Sequence, residues 1–180
     1  MNMRNIILIA EAGDFIGEKK LIAQHLAGEW VDNQWRMADG SLWEILVTGV
    51  GALNVLQALR HIPQDTRLIN IGYAGSANYD LGTAVMVNEV RLNHPNVSYP
   101  EPTLCLQPIP ATYLQAPAAV ITSVCYSNTD FVLQSDYRDC VFDMELAYIA
   151  GMGFSQLSAL KIVSDNLSLH TYREVAAGVE

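Results

Sequence analysis

Two carboxylates give this chain its clearest chemical signal. Phe142-Asp143-Met144-Glu145 places one acid at the head of an apolar run over residues 146–152, and Ser164-Asp165-Asn166 places another twenty residues after Glu145. The stretch between them reads as a helix followed by a strand over residues 156–163. A carboxylate at the carboxyl end of a strand in an α/β protein faces the crevice where ligands bind. One acid can accept hydrogen bonds from ligand hydroxyls while the other moves a proton. Each also has a purely local use. Asp165 can cap the segment that follows, and Glu145 can favour the positive end of a helix.

Two glycine-containing segments follow strand-like runs, Thr48-Gly49-Val50-Gly51 and Gly72-Tyr73-Ala74-Gly75. Glycine allows a sharp backbone turn and lets a ligand approach the N–H groups. Neither segment is a dinucleotide fingerprint or a phosphate-binding P-loop. Both of them, Asp165 and the first loop (residues 11–14) come after strands. In a parallel sheet those ends share one rim.

The elements that must carry these residues are legible as a pattern. Residues 6–10 are a continuous apolar run, as in a strand covered on both faces. Residues 15–28 read as a helix. Residues 30–36 and 41–48 read as two strands joined by a turn at 38–40, and residues 52–61 as a helix ended by Pro63. Further strands are expected over 67–71, 84–90 and 118–124. Six of the seven prolines fall between 95 and 117, which predicts an irregular surface excursion. Strands alternating with helices indicate an α/β domain with a largely parallel or mixed sheet.

Composition narrows the function classes. The chain has 180 residues, enough for a single domain with a sizeable core. It is 51% hydrophobic with a mean hydropathy of +0.17, the profile of a folded globular chain. A net charge of −9 with only ten basic residues argues against a nucleic-acid surface, which needs clustered Lys and Arg. No apolar run reaches the length of a membrane helix, and the N-terminal one is too short for a secretory signal. Cys105, Cys125 and Cys140 are too few and too scattered for a disulfide framework, which suits a reducing compartment, and a cytoplasmic location is expected. His25, His61, His94 and His170 show no ligand spacing, so neither a metal nor another cofactor is expected.

In order and approximate spacing, the pieces resemble the nucleoside phosphorylase superfamily. Within it they look most like the nucleosidases that cleave methylthioadenosine and S-adenosylhomocysteine. The matching segments are the opening strand with its acidic loop, Thr48-Gly49-Val50-Gly51 with Asn54, Asn70 to Gly75, Ser127-Asn128-Thr129-Asp130-Phe131, Phe142 to Glu145, and Val163-Ser164-Asp165. The resemblance implies a three-layer α/β/α sandwich around a mixed central sheet. It implies that Met144 and Glu145 line a ribose, with Glu145 accepting its hydroxyls. Asp165 would protonate purine N7, oriented by Ser164, and Phe131 would stack on the base. Gly51, Gly72 and Tyr73 would border the sugar, with Tyr73 in place of a smaller residue.

Phosphorylases of this superfamily hold phosphate with arginines, one of them at the position of Asn70. Asn70 is neutral, and Glu18, Lys19 and Lys20 follow the first loop where another arginine is absent. Water is therefore the favoured nucleophile, with Glu11 or Asp14 as its general base. The expected activity is hydrolysis of the N-glycosidic bond of an adenine-type nucleoside. Phosphorolysis and a non-catalytic nucleoside-binding role are the alternatives, and a futalosine-type substrate is compatible with the same chemistry. The chain is expected to be shortened after Asp165 relative to this superfamily, and a homo-oligomer would cover apolar surface left by the shortening.

Overall fold

The computed structural model describes residues 3–11, 17–93 and 103–178. They form ten strands and four α-helices: β1 (Asn5–Ile9), α1 (Lys19–His25), β2 (Gly28–Val31), β3 (Gln34–Met37), β4 (Leu42–Val47), α2 (Ala52–Leu59), β5 (Arg67–Gly75), β6 (Ala84–Leu92), β7 (Leu104–Cys105), β8 (Ile121–Ser127), β9 (Cys140–Asp143), α3 (Leu146–Ala150), β10 (Gln156–Asp165) and α4 (Leu169–Ala176). The expected mixed α/β sheet is present. Strands β1, β4, β5 and β10 run parallel where they pair, whereas β6 is antiparallel to β10, and β2, β3 and β4 form an antiparallel meander.

The sheet has two parts. Strand β5 pairs with β10, β10 with β6, β6 with β8, β8 with β9, and β9 returns to β5, so five strands close into a ring. Strands β1, β4, β3 and β2 extend from β5 as an open arm. Strand β9 meets β5 only at its tip, Gly75 opposite Phe142. That contact brings the end of β9 beside the carboxyl ends of β5 and β10.

Helices cover both faces. Leu21 and Ile22 of α1 and Ala176 of α4 join one buried cluster with Ile7, Ile9, Ile69, Ile71, Leu160 and Ile162. Val55 and Leu59 of α2 and Leu146, Ala147 and Ile149 of α3 join the other, with Ile6, Leu8, Leu68, Ala159 and Val163. Alternation along β1 and β10 thus feeds two cores, and this explains why both strands read as unbroken apolar runs. Each fully buried aliphatic side chain contributes about 1.5–3 kcal/mol relative to exposure.

Several local expectations are corrected. The run over 30–36 is two strands, because Asp32 adopts φ 53° and turns the chain. Helix α1 starts at Lys19, well after the expected beginning, and residues 15 and 16 lie outside the described residues. Gly72 to Gly75 is not a turn. It continues β5 in register with Lys161 to Asp165, and neither glycine has positive φ. The described part of the proline-rich segment is not merely a surface excursion. Ile109, Tyr113 and Leu114 are buried, and the Tyr113 hydroxyl donates to Asp39 at 2.6 Å.

Candidate active site

The carboxyl ends of β1, β4, β5, β9 and β10 converge on a cavity of about 290 Å³. Ala10 and Glu11 follow β1, Val50 follows β4, Tyr73 to Gly75 end β5, Phe142 to Glu145 end β9, and Ser164 and Asp165 end β10. The loop after β8 supplies Asp130, Phe131 and Val132, and α4 supplies Leu169, Tyr172 and Arg173. The shared rim expected from the strand order is therefore present.

Asp165 sits at the last position of β10 and is almost completely buried. Ser164 Oγ donates to its Oδ2 at 2.8 Å, and Leu167 N–H donates to its Oδ1 at 2.9 Å. Burial pushes its carboxyl above the usual range, and these hydrogen bonds only partly oppose the rise. Leu167 holds φ 66°, which lets the chain fold back over the carboxylate. The local capping use of Asp165 is thus real, yet its carboxyl group also lines the cavity.

Glu145 occupies the N-cap position of α3 without making a cap bond. Its Oε2 turns toward the glycine turn after β4, 3.4 Å from Gly51 N. Gly51 has φ 86°, a conformation that suits glycine, so the turn can present this N–H. Burial, then Asp143 and Glu18, push the Glu145 carboxyl up to about 8, with Lys161 opposing. Met144 is half-buried beside it and lines the same cavity.

Glu18 was not singled out by sequence, yet it is a further buried carboxylate of the site. It directly precedes α1, and its side chain turns back across the sheet. Its Oε2 accepts from Ala10 N at 2.6 Å and from Glu11 N at 3.4 Å, while its Oε1 accepts from Tyr73 N at 3.3 Å. The carboxylate therefore ties the end of β1 to the end of β5. Burial raises its pKa; the nearby Lys161 ammonium and these N–H donors hold the rise in check. Glu11 is half-buried on the cavity wall and supplies a backbone N–H to Glu18. Asp14 lies outside the described residues. In sequence Glu18 is flanked by Lys19 and Lys20 and was noted only because no arginine follows the first loop.

Gly72 has a spatial reason to lack a side chain. A Cβ there would stand 2.9 Å from Glu18 Oε1 and 3.4 Å from Lys161 Nζ. Below this group, Asp143 is buried and paired with Lys161 at 3.0 Å. It also accepts from Ser127 Oγ and from Leu146 N. Burial alone would raise Asp143, but Lys161 and these donors hold it below the usual carboxylate range.

Aromatic rings form the opposite wall. Tyr172 lies between Tyr73, at 6.2 Å and nearly perpendicular, and Phe131, at 5.7 Å. Burial and then Glu18 raise the Tyr73 hydroxyl to about 12, so it stays protonated. Asn70 is buried and donates to Leu8 O at 3.2 Å, apart from the cavity lining. His170 is exposed and pairs with Glu174 instead of facing the site.

This arrangement can bind a polyhydroxylated ring, supply a proton from a carboxylic acid, and activate a small nucleophile with a second carboxylate. Its fold is that of the 5'-methylthioadenosine/S-adenosylhomocysteine nucleosidases. The chain is similar to the solved nucleosidase from Chlamydia trachomatis (20% identity, TM-score 0.69, 98% of this chain and 90% of that one). It is similar to the enzyme from S. pneumoniae, solved with a transition-state inhibitor (16% identity, TM-score 0.71, 98% and 93%). A third similar structure, from Colwellia psychrerythraea, is a complex with adenine (17% identity, TM-score 0.68, 99% and 90%). No protein-family model matches the chain, and no curated protein matches it.

Proposed function

We propose that this protein is a nucleosidase that hydrolyses the N-glycosidic bond of a purine nucleoside of the methylthioadenosine or S-adenosylhomocysteine type. The observation that carries this reading is the meeting of three buried carboxylates, Asp165, Glu145 and Glu18, besides the Lys161-paired Asp143, at one cavity with an aromatic wall. Similar structures hold adenine, methylthioadenosine and a transition-state inhibitor, which supports a purine nucleoside here.

The roles follow from position and charge. Asp165, raised by burial, donates a proton to purine N7, and the base leaves as a neutral group. Glu145 accepts hydrogen bonds from the ribose hydroxyls, and Met144 packs beside the ring. Phe131 stacks on the base. Glu18 takes the general-base role assigned from sequence to Glu11 or Asp14, because its carboxylate is the one aimed into the cavity by three backbone donors. Water is the nucleophile: Asn70 stands where a phosphate-binding arginine would be needed, and its side chain is used on Leu8.

The same reading extends to the setting. We place the protein in the cytoplasm, as one nucleoside phosphorylase-like domain with three-layer α/β/α packing about the open arm of the sheet. It works as a homo-oligomer. Helix α2 exposes Leu53 and Leu56, 69% and 49% accessible, close in sequence to the exposed Val47 and to Val50 of the cavity lining, a surface suited to a second copy.

Release of free base from methylthioadenosine, S-adenosylhomocysteine, adenosine and inosine, with and without phosphate, tests the proposal. Release in the absence of phosphate is expected. Release only in its presence makes the protein a phosphorylase. A folded protein inert on the whole panel overturns the enzymatic reading.

A further inference from the structure

Lys161 is the feature of this site that the three carboxylates leave unexplained. It sits in the middle of β10, in register with Gly72, and its side chain is fully buried. A lysine is almost never buried unless paired. Its ion-pair partner is Asp143, at 3.0 Å. Its ammonium and the Glu18 carboxylate both reach the space left by the missing side chain of Gly72.

An ion pair is a costly way to fill a core, and replacing one with apolar groups of similar volume is often neutral or stabilising. Fold stability alone therefore gives weak grounds for Lys161. Charge balance at the site gives a stronger one. Glu18 is 7% exposed and is faced by Glu11 from its own loop, Tyr73 from β5, Tyr172 from α4, Glu145 and Asp143 from the end of β9, and Lys161 from β10. Cys125 of β8 lies beside Asp143 and Lys161. Among these groups, Lys161 is the sole cation. Burial drives Glu18 toward its protonated form, which cannot act as a base, and Lys161 is the charge that opposes it.

Resting on the nucleosidase reading, we propose that Lys161 is a positioning residue that keeps Glu18 ionised and aimed into the cavity, with Asp143 clamping the ammonium in place. Lys161 acts through Glu18 and by charge, across the gap over Gly72. Asp143 fixes the lysine from below, and Ser127 and Leu146 N–H fix Asp143 in turn. The chain thus uses two coupled pairs: one carboxylate holds the cation, and the cation holds the other carboxylate.

The test compares Lys161→Met, which keeps length and loses charge, with Lys161→Arg, which keeps charge. For Lys161→Met, kcat at neutral pH falls about 100-fold and the acid limb of kcat/KM moves up by about two pH units, while KM changes less than about threefold. Lys161→Arg recovers to within about tenfold of the parent. An equal loss at every pH, with the acid limb unmoved, overturns the proposal and makes Lys161 structural. If Lys161→Met fails to fold, the double variant Lys161→Met/Asp143→Asn removes both charges together, and the same shift of the acid limb is expected. A second readout needs no turnover. The Glu18 carboxyl is followed by carbon-13 NMR against pH, its signal assigned by loss in Glu18→Gln. Its titration moves upward in Lys161→Met or the double variant; an unchanged titration overturns the proposal. A wild-type protein that cleaves no nucleoside sinks the nucleosidase reading, and the NMR titration still decides whether Lys161 governs Glu18.

Discussion

Replacing Asp165 with Asn separates chemistry from architecture at this site. The carboxyl group makes two hydrogen bonds, from Ser164 Oγ and from Leu167 N–H. An amide oxygen can accept one of them, and the buried side chain keeps its volume. The loss is at most about one hydrogen bond, roughly 0.5–1.5 kcal/mol, and removing a buried acid offsets part of it. Thermal stability should therefore change by no more than a few degrees. Catalysis should change far more, because an amide cannot deliver a proton to N7, and a positioned general acid contributes about 10²–10⁴-fold in rate. KM should move little, since the sugar is held by Glu145 and the base by Phe131. The pH profile provides a second axis. Asp165 must be protonated to act, so wild-type activity declines as pH rises through its elevated pKa, and the variant should lack that decline. The assay is steady-state base release from methylthioadenosine between pH 5 and 9, with a denaturation curve on the same samples. A variant that keeps its fold and turns over within about threefold of wild type refutes the acid assignment.

Two further outcomes follow from the same geometry. Glu145 is held up at about 8 against an ordinary 4.5, so the native state keeps a proton that the unfolded chain releases. Its contribution is complete below the unfolded pKa and is lost as pH climbs toward 8, with a slope of at most about 1.4 kcal/mol per pH unit. Glu18 and Asp165 are also raised and act in the same direction. Urea denaturation at pH 5.5 and 7.5 should show lower stability at the higher pH and a flatter dependence in Glu145→Gln; equal slopes in the two proteins contradict the assignment. Gly72→Ala places a methyl group 2.9 Å from Glu18 Oε1. The carboxylate end can move, so the cost in stability is about 1–2 kcal/mol, but the move breaks the bonds that aim Glu18. A kcat loss of about tenfold or more with little change in KM is expected, and an unaltered kcat removes Glu18 from the mechanism.

What the sequence disclosed was set by where physical constraints are local. Glu145 and Asp165 were legible because one heads an apolar run and the other closes one, so the place of each at an element's end can be counted along the chain. The crevice was legible for the same reason: parallel strands put successive loops on one rim. The closing of β5, β9, β8, β6 and β10 into a ring was not. It depends on a single long-range meeting, Gly75 with Phe142, and on a four-residue strand that leaves no periodic signal. The segment Gly72 to Gly75 was misread because glycine in a strand and glycine in a turn look alike in sequence. Here the glycine makes room for two side chains from distant parts of the chain.

Glu18 and Lys161 show the same limit from the other side. Charged residues are usually solvated, so nothing in the sequence marks Glu18, within the expected helix over 15–28, or Lys161, within the expected strand over 156–163, as buried. Burial reverses the meaning of both. Lys161 occupies a position where every neighbour along β10, from Leu160 to Asp165, is buried, and an apolar residue would satisfy the sheet. A charge kept in such a place points to a counter-charge whose function needs it. Asp143 alone would give a closed pair that a folding core could do without. The second carboxylate, Glu18, supplies the reason for keeping it, because a base buried among acids stays ionised only if a cation stands beside it.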